Sequence, residues 1–390
     1  MSSNHNRANT PLIETHCVVI KIKKVIGAGV IGLSVAERLS RRQSTLVVER
    51  NSRFGCEISS RNSEVIHNGI YYPNDSLKTR MCIRGRHLLY ELCKRAGIPH
   101  RQIGKWIVAV DPEQAEQLNA LHAKATNLGV ATRFISKAIA TNQEPNVVAN
   151  TVLESPLTGI IDSHSYMQYL ENRIMDHGNS DVSYNSKVVG IEYERHKKLY
   201  RVGISYGKGI MVIKTPALVN AAGLGSERIA KMLLPETDMN HLKLHFCKGH
   251  YFAYRPSHKL VSRLIYPMPE KNLRGLGIHC TVDMAGRAKF GPDVSYMRDG
   301  DELSYEFTSE YDLLDKFCGA IKKYIPSISK EDLIADYTGI RPKLQGPNDG
   351  FRDFIIDTPK AFPGFVNLVG IESPGLTASQ AIAEYVYKLI

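Results

Sequence analysis

A single tryptophan occurs among the 390 residues, and no two cysteines stand at C-x-x-C spacing. The seven cysteines, Cys17, Cys56, Cys82, Cys93, Cys247, Cys280 and Cys318, are odd in number and dispersed. That pattern argues against a clustered thiolate metal site and a disulfide framework, and it suits reduced thiols in a reducing compartment. No apolar run approaches the roughly twenty residues of a membrane-crossing helix, so any membrane contact is expected to be peripheral. Acid is in short supply too, with 39 Asp and Glu against 50 Lys and Arg and a net charge of +11. The basic residues are nevertheless scattered, and aromatics do not interleave with them as a nucleic-acid surface requires. Such a balance fits attraction of a small anionic substrate. Residues 1–16 are polar, with Arg7 and Glu14 as their charged residues. They lack the apolar stretch of a secretory signal and are expected to form a flexible tail. Mitochondrial import and cytoplasmic residence both stay open.

What the chain does contain is a glycine fingerprint. Val25 and Ile26 lead into Gly27, Gly29 and Gly32 at G-x-G-x-x-G spacing, a helical pattern follows, and Glu49 ends the next apolar run. The first glycine permits a tight turn, the second admits a pyrophosphate to the backbone, and the third lets helix pack on strand. Helix N–H groups then face the phosphates, and the acid about twenty residues on meets a ribose hydroxyl. The order strand, glycines, helix, strand, acid predicts a nucleotide-binding βαβ unit. Its first strand is anomalous, since Lys21, Lys23 and Lys24 fall where a central parallel strand should be apolar. Cys17, Val18, Val19 and Ile20 would make a better strand if joined directly to Gly27. Residues 21–26 therefore read either as an insertion or as a strand end whose lysines bulge to the outer edge.

A chain of this length exceeds one comfortable core. Helical periodicity over 77–96 stops at Gly97, the run 217–223 reads as a buried strand ending in a glycine turn, and a helix begins after Gly375. These signals predict an α/β protein of two lobes, a discontinuous Rossmann-like nucleotide domain with an inserted β-rich substrate lobe. The expected division is 17–85, 150–240 and 335–390 for the first, and 86–149 and 241–334 for the second.

Taken in order, segments 59–72, 155–164, 219–226, 264–267, 275–279, 290–292, 339–342 and 373–377 resemble the FAD-dependent oxidoreductases of the D-amino-acid oxidase superfamily. Within it the likeness is strongest to the L-2-hydroxyglutarate dehydrogenases and their bacterial oxidase relatives. The resemblance implies FAD rather than NAD. It puts Gly27, Gly29 and Gly32 at the pyrophosphate, Glu49 at the adenosine ribose, and Ser60, Arg61 and Asn62 along the pyrophosphate and flavin. Val188 would meet the adenine through its backbone, and Ala222 and Gly223 the ribose-phosphate. Gly375, Leu376 and Thr377 would aim a helix N-terminus at the flavin pyrimidine edge.

Oxidising an alcohol needs a base for the hydroxyl proton, and histidine titrates near neutrality. The family's matching strand implies His279 in that role, with His67 second; a hydrogen-bonded histidine within the sheet is the plainer alternative for His279. Arg341 would hold a substrate carboxylate through its planar fork, or else be a surface turn arginine. Tyr251 and Tyr266 would bound the pocket, or pack in the lobe core. The activity so implied is oxidation of a 2-hydroxy acid, L-2-hydroxyglutarate to 2-oxoglutarate, with a quinone or oxygen as acceptor. The alternatives are an amino acid, secondary amine or glycerol 3-phosphate as substrate, or a flavin-binding protein without turnover.

Overall fold

The computed structural model describes residues 17–19, 22–207, 209–268, 277–307 and 310–390. The expected tail at 1–16 lies outside them, as do Gly275 and Leu276. A six-stranded sheet gathers three distant stretches of chain in the order Asp181–Ser183, Thr45–Val48, Lys23–Ile26, Leu218–Asn220, Phe365–Val369, Ile355–Asp357. All neighbours are parallel except the last pair. Leu218–Asn220 and Phe365–Val369 are buried along their whole length, as a parallel sheet covered on both faces demands. The fingerprint helix Val30–Ser40, the helix Leu77–Ala96 and the closing helix Gly375–Leu389 share one apolar core with it. Ser76 caps Leu77–Ala96 by accepting from the Thr79 N–H, and Gly97 ends it in the left-handed conformation, φ +68°. Both are the punctuation that the sequence displays.

The first strand departs from the expected bulge. Lys23–Ile26 itself occupies the central slot, with Lys24 opposite Leu46 on one side and Leu218 on the other. Cys17–Val19 leaves this sheet and pairs in parallel with Gly209–Thr215, at the edge of a four-stranded sheet. Lys23 and Lys24 stay within the strand, and Lys21 lies outside the described residues. Lys24 is 1% exposed, its Nζ donates to the Lys214 carbonyl at 3.3 Å, and burial lowers its pKa to about 7.

The second lobe is a nine-stranded sheet. His245–Tyr254 pairs antiparallel with Leu333–Lys343, in register from Tyr254 opposite Leu333 to His245 opposite Lys343 with one shift between His250 and Phe252. Leu333–Lys343 runs across the expected boundary at 335. His279–Val282 pairs with Leu264–Pro267 on one side and Ala288–Gly291 on the other. A core containing Trp106, Phe252, Phe290 and Phe317 backs this sheet. The molecule is thus a mixed α/β fold of two lobes, with a cavity between their sheets.

Candidate active site

The cavity encloses about 460 Å³, in the range of ligand pockets, roughly 300–1,000 Å³. At one end lies the fingerprint. Gly27 has φ +103°, and a Cβ there would stand 2.6 Å from the Ala221 carbonyl oxygen, so glycine is required on both counts. Gly29 starts the helix Val30–Ser40 with no side-chain cap and no acid in the first turn. Ser59 Oγ accepts from the Val30 N–H at 2.9 Å, while Ile31 and Gly32 have no helix carbonyl to bond at that end. An uncapped, acid-free helix start beside glycine backbone suits a diphosphate. Glu49 accepts from the N–H of Ala28 and of Asn51, each at 2.8 Å, which ties the second strand's end to the glycine turn. Val188, at a bulge in Ser186–Glu194, and Ala222 and Gly223 line the same cavity.

Arg61 stacks its guanidinium 4.2 Å from the Tyr305 ring centroid and donates from Nη1 to the Thr338 carbonyl. Asn62 locks its own loop by donating to the Ser59 carbonyl at 2.8 Å and accepting from the Glu64 N–H. At the far end the closing helix begins at Gly375, again with no side-chain cap and no acid in its first turn, and Gly375 and Leu376 face the cavity. Both ends of the cavity therefore present an open helix N-terminus.

Between these ends His67, His279, Tyr251, Tyr266 and Arg341 line one space. His279 stacks on Tyr266, ring centroids 3.6 Å apart and planes 13° from parallel. The Tyr251 hydroxyl meets Ser63 Oγ at 3.1 Å, and its ring stacks on Tyr337. His67 is held neutral, its pKa lowered to about 3 by burial, then by the charge of Lys105 and by His279. Arg341 donates from Nη2 to the Asp293 carbonyl at 2.6 Å and the Lys248 carbonyl at 3.2 Å, and from Nε to the Cys247 carbonyl at 3.4 Å. Among the described residues its Nη1 bonds no protein acceptor, and no carboxylate bonds the guanidinium.

Three residues of the expected set stand outside the cavity lining. Gly32 serves packing, since a Cβ there would be 1.9 Å from the Gly27 carbonyl oxygen. Ser60 turns to a smaller hollow of about 250 Å³ beside Arg53 and His164, and its neighbour Ser59 takes the place at the helix start. Thr377 is buried and accepts from the His67 N–H at 3.0 Å while donating to the Val65 carbonyl, so it fixes the histidine's backbone.

Sequence reasoning also missed four charged groups. Glu372 bonds Lys78 Nζ at 2.9 Å and Lys343 Nζ at 3.0 Å, and all three line the cavity. Burial would raise the Glu372 carboxyl, but the two lysines outweigh it and hold its pKa below the usual value. Lys105 is fully buried, its Nζ 4.6 and 4.7 Å from the Tyr71 and Tyr266 ring centroids, with burial lowering its pKa to about 7. Apart from that aromatic pair, its Nζ bonds no described acceptor.

The family described as DAO, FAD dependent oxidoreductase, matches residues 25–389. The chain is 38% identical to L-2-hydroxyglutarate dehydrogenase, mitochondrial, of Arabidopsis thaliana, over 93% of its own length and 82% of the relative's. To the human protein of that name it is 29% identical, over 92% of this chain and 86% of that one. Among solved structures it resembles dithionite-reduced L-alpha-glycerophosphate oxidase from Mycoplasma pneumoniae with FAD bound, with a TM-score of 0.84, 23% identity, and coverage of 95% and 94% of the two chains. Glycine oxidase from Geobacillus kaustophilus gives 0.76 at 17% identity, covering 95% and 94%. At those identities the solved structures share the fold.

Proposed function

Since the chain belongs to the FAD-dependent oxidoreductases of the DAO family and uses FAD, we propose that it oxidises L-2-hydroxyglutarate to 2-oxoglutarate. The observation that carries this reading is the convergence of an arginine lacking an anionic partner and two histidines on the space between two open helix starts. FAD, when bound, supplies the acceptor for the hydride that leaves the hydroxyl-bearing carbon. Arg341 takes the carboxylate next to that carbon through Nη1, gaining the charge-assisted partner it lacks. His279 takes the hydroxyl proton, its ring held in place by the stack on Tyr266. His67 is too weak a base for that task with its pKa near 3 and serves as a neutral hydrogen-bonding wall. Gly27, Gly29 and Glu49 would hold the adenosine diphosphate portion, with Arg61, Asn62, Val188, Ala222 and Gly223 around it. Gly375 and Leu376 would offer helix N–H groups and a helix dipole to stabilise negative charge on the flavin.

The names of the relatives support mitochondrial residence, and no described helix is long and apolar enough to cross a membrane. Electrons leave to a quinone or to oxygen, which reoxidation with each acceptor distinguishes. Anaerobic mixing with a panel of 2-hydroxy acids, amino acids and glycerol 3-phosphate, followed at the flavin absorption band, tests the reading. Bleaching by L-2-hydroxyglutarate is expected. Bleaching by amines alone, together with an unaffected His279→Asn variant, would move the assignment to amine oxidation.

A further inference from the structure

Arg341 and Lys343 sit two residues apart on Leu333–Lys343, on the face that carries Gly339, and both line the cavity. Along a strand that spacing is about 6.7 Å. Lys343 shares one carboxylate, Glu372, with Lys78, and the side chains of Lys78 and Glu372 are only 5% and 8% exposed. Two ammonium groups against one carboxylate leave a unit of positive charge on this wall, and Arg341 adds a second. The Lys343 side chain is 19% exposed, and positive charge concentrated on a cavity wall attracts a matching anion. A monocarboxylate satisfies Arg341 alone. A five-carbon diacid, its carboxyl carbons about 5 Å apart at roughly 1.5 Å per bond, spans from Arg341 to Lys343 with hydrogen-bond length to spare.

We propose that Lys343 is a specificity-determining residue that takes the distal carboxylate of a dicarboxylic 2-hydroxy acid, with Glu372 and Lys78 setting the position of its ammonium group. This rests on the reading of the site as one that oxidises a 2-hydroxy acid and adds which residue of this chain recognises the second carboxylate. Glu372 fixes Lys343 Nζ through both carboxylate oxygens, at 3.1 and 3.0 Å, so the ammonium is pre-oriented before substrate arrives. Lys78 in turn keeps Glu372 ionised, so the distal site stays a cation pair bridged by one anion. Tyr72 and Phe351, which also line this end, flank Lys78 with their rings at 5.5 and 5.4 Å.

The test compares the wild-type holoenzyme with Lys343→Met and Lys343→Arg, reading kcat/KM for L-2-hydroxyglutarate and L-2-hydroxybutyrate, and the flavin absorbance shift on titrating with glutarate and with butyrate. Loss of one charge-assisted hydrogen bond corresponds to a roughly 10- to 100-fold effect. Lys343→Met should lose that much preference for the diacid, mainly through KM, weaken glutarate binding alike, and leave butyrate binding and L-2-hydroxybutyrate oxidation near wild type. Lys343→Arg should retain most of the preference. If wild type oxidises both acids with equal efficiency, or Lys343→Met keeps its preference, the distal role is wrong while the 2-hydroxy-acid reading stands. Purification of Lys343→Met without FAD would make the residue part of the cofactor site and overturn the proposal. No bleaching of wild type by either acid would overturn both.

Discussion

Lys24 is the residue most at odds with its surroundings, an ammonium group enclosed in a parallel sheet with one carbonyl for company. Its pKa is about 7 in the folded chain against 10.5 as the ordinary value. Between those two pH values the unfolded chain binds a proton that the folded chain does not, so stability rises with pH there. The burial penalty is complete below about pH 7. Lys24→Met should therefore raise the melting temperature at pH 6.5, by a stabilisation of a few kcal/mol, and the gain should shrink toward pH 10. Thermal unfolding followed by circular dichroism decides it; a loss would mean that the lysine contributes to the sheet, and a gain flat across this range would mean that its charge is not the source of the penalty. At the reacting centre, His279→Ala should slow flavin reduction by about a hundredfold or more. Arg341→Ala should act chiefly on substrate affinity, and stopped-flow reduction over a range of acid concentrations separates the two. Single residues were legible in sequence where spacing carries the information, as with Gly27, Gly29 and Glu49. The pairing of Lys343 with Glu372 was not, because it joins a lobe strand to the loop before the closing helix and leaves no periodic trace. Ser59 and Ser60 are adjacent serines, and only the turn geometry decides which one faces the helix start.

At the scale of elements, local preference and sheet register compete. The four residues from Cys17 to Ile20 have the better strand composition, yet the slot between Thr45–Val48 and Leu218–Asn220 is filled by Lys23–Ile26 because that register delivers Ile26 directly to the glycine turn. A pattern read within one strand cannot see its neighbours. The helices were more legible, since caps such as Ser76 and Gly97 act within a few residues of themselves. The contact between strand and helix is tightest at Gly32. Gly32→Ala must push the helix Val30–Ser40 away from Gly27, which costs on the order of 1–3 kcal/mol as overpacking does. FAD content of the purified variant should fall along with its melting temperature; full occupancy at unchanged stability would show that the turn can relax around a methyl group.

For the whole molecule, the charge of +11 and the cationic wall formed by Lys78, Arg341 and Lys343 act together on an anionic substrate. Long-range attraction weakens as salt shortens the Debye length from about 30 Å at 0.01 M to 8 Å at 0.15 M. The second-order rate of flavin reduction at low substrate should fall several-fold between those ionic strengths, with little change in the limiting rate at saturation. A salt-independent second-order rate would confine the electrostatics to the bound state. Two lobes and a discontinuous nucleotide domain were visible in the order of motifs, whereas the placement of Arg341 depended on how the lobe's long strand pairs with His245–Tyr254.

The six-stranded sheet needs Lys23–Ile26 from the beginning of the chain, Leu218–Asn220 from its middle and Phe365–Val369 from near its end. At translation speeds of about 5–20 residues per second, the early strands wait tens of seconds for the last one. During that interval the edge of Leu218–Asn220 that will receive Phe365–Val369 stands bare, a template for pairing with any passing strand. The two helix starts of the cavity come together only after the helix Gly375–Leu389 has been made. Supply of FAD then acts by mass action on the assembled sheet, and cells short of riboflavin should accumulate this protein in aggregates or lose it to proteolysis rather than store it as a stable apoenzyme.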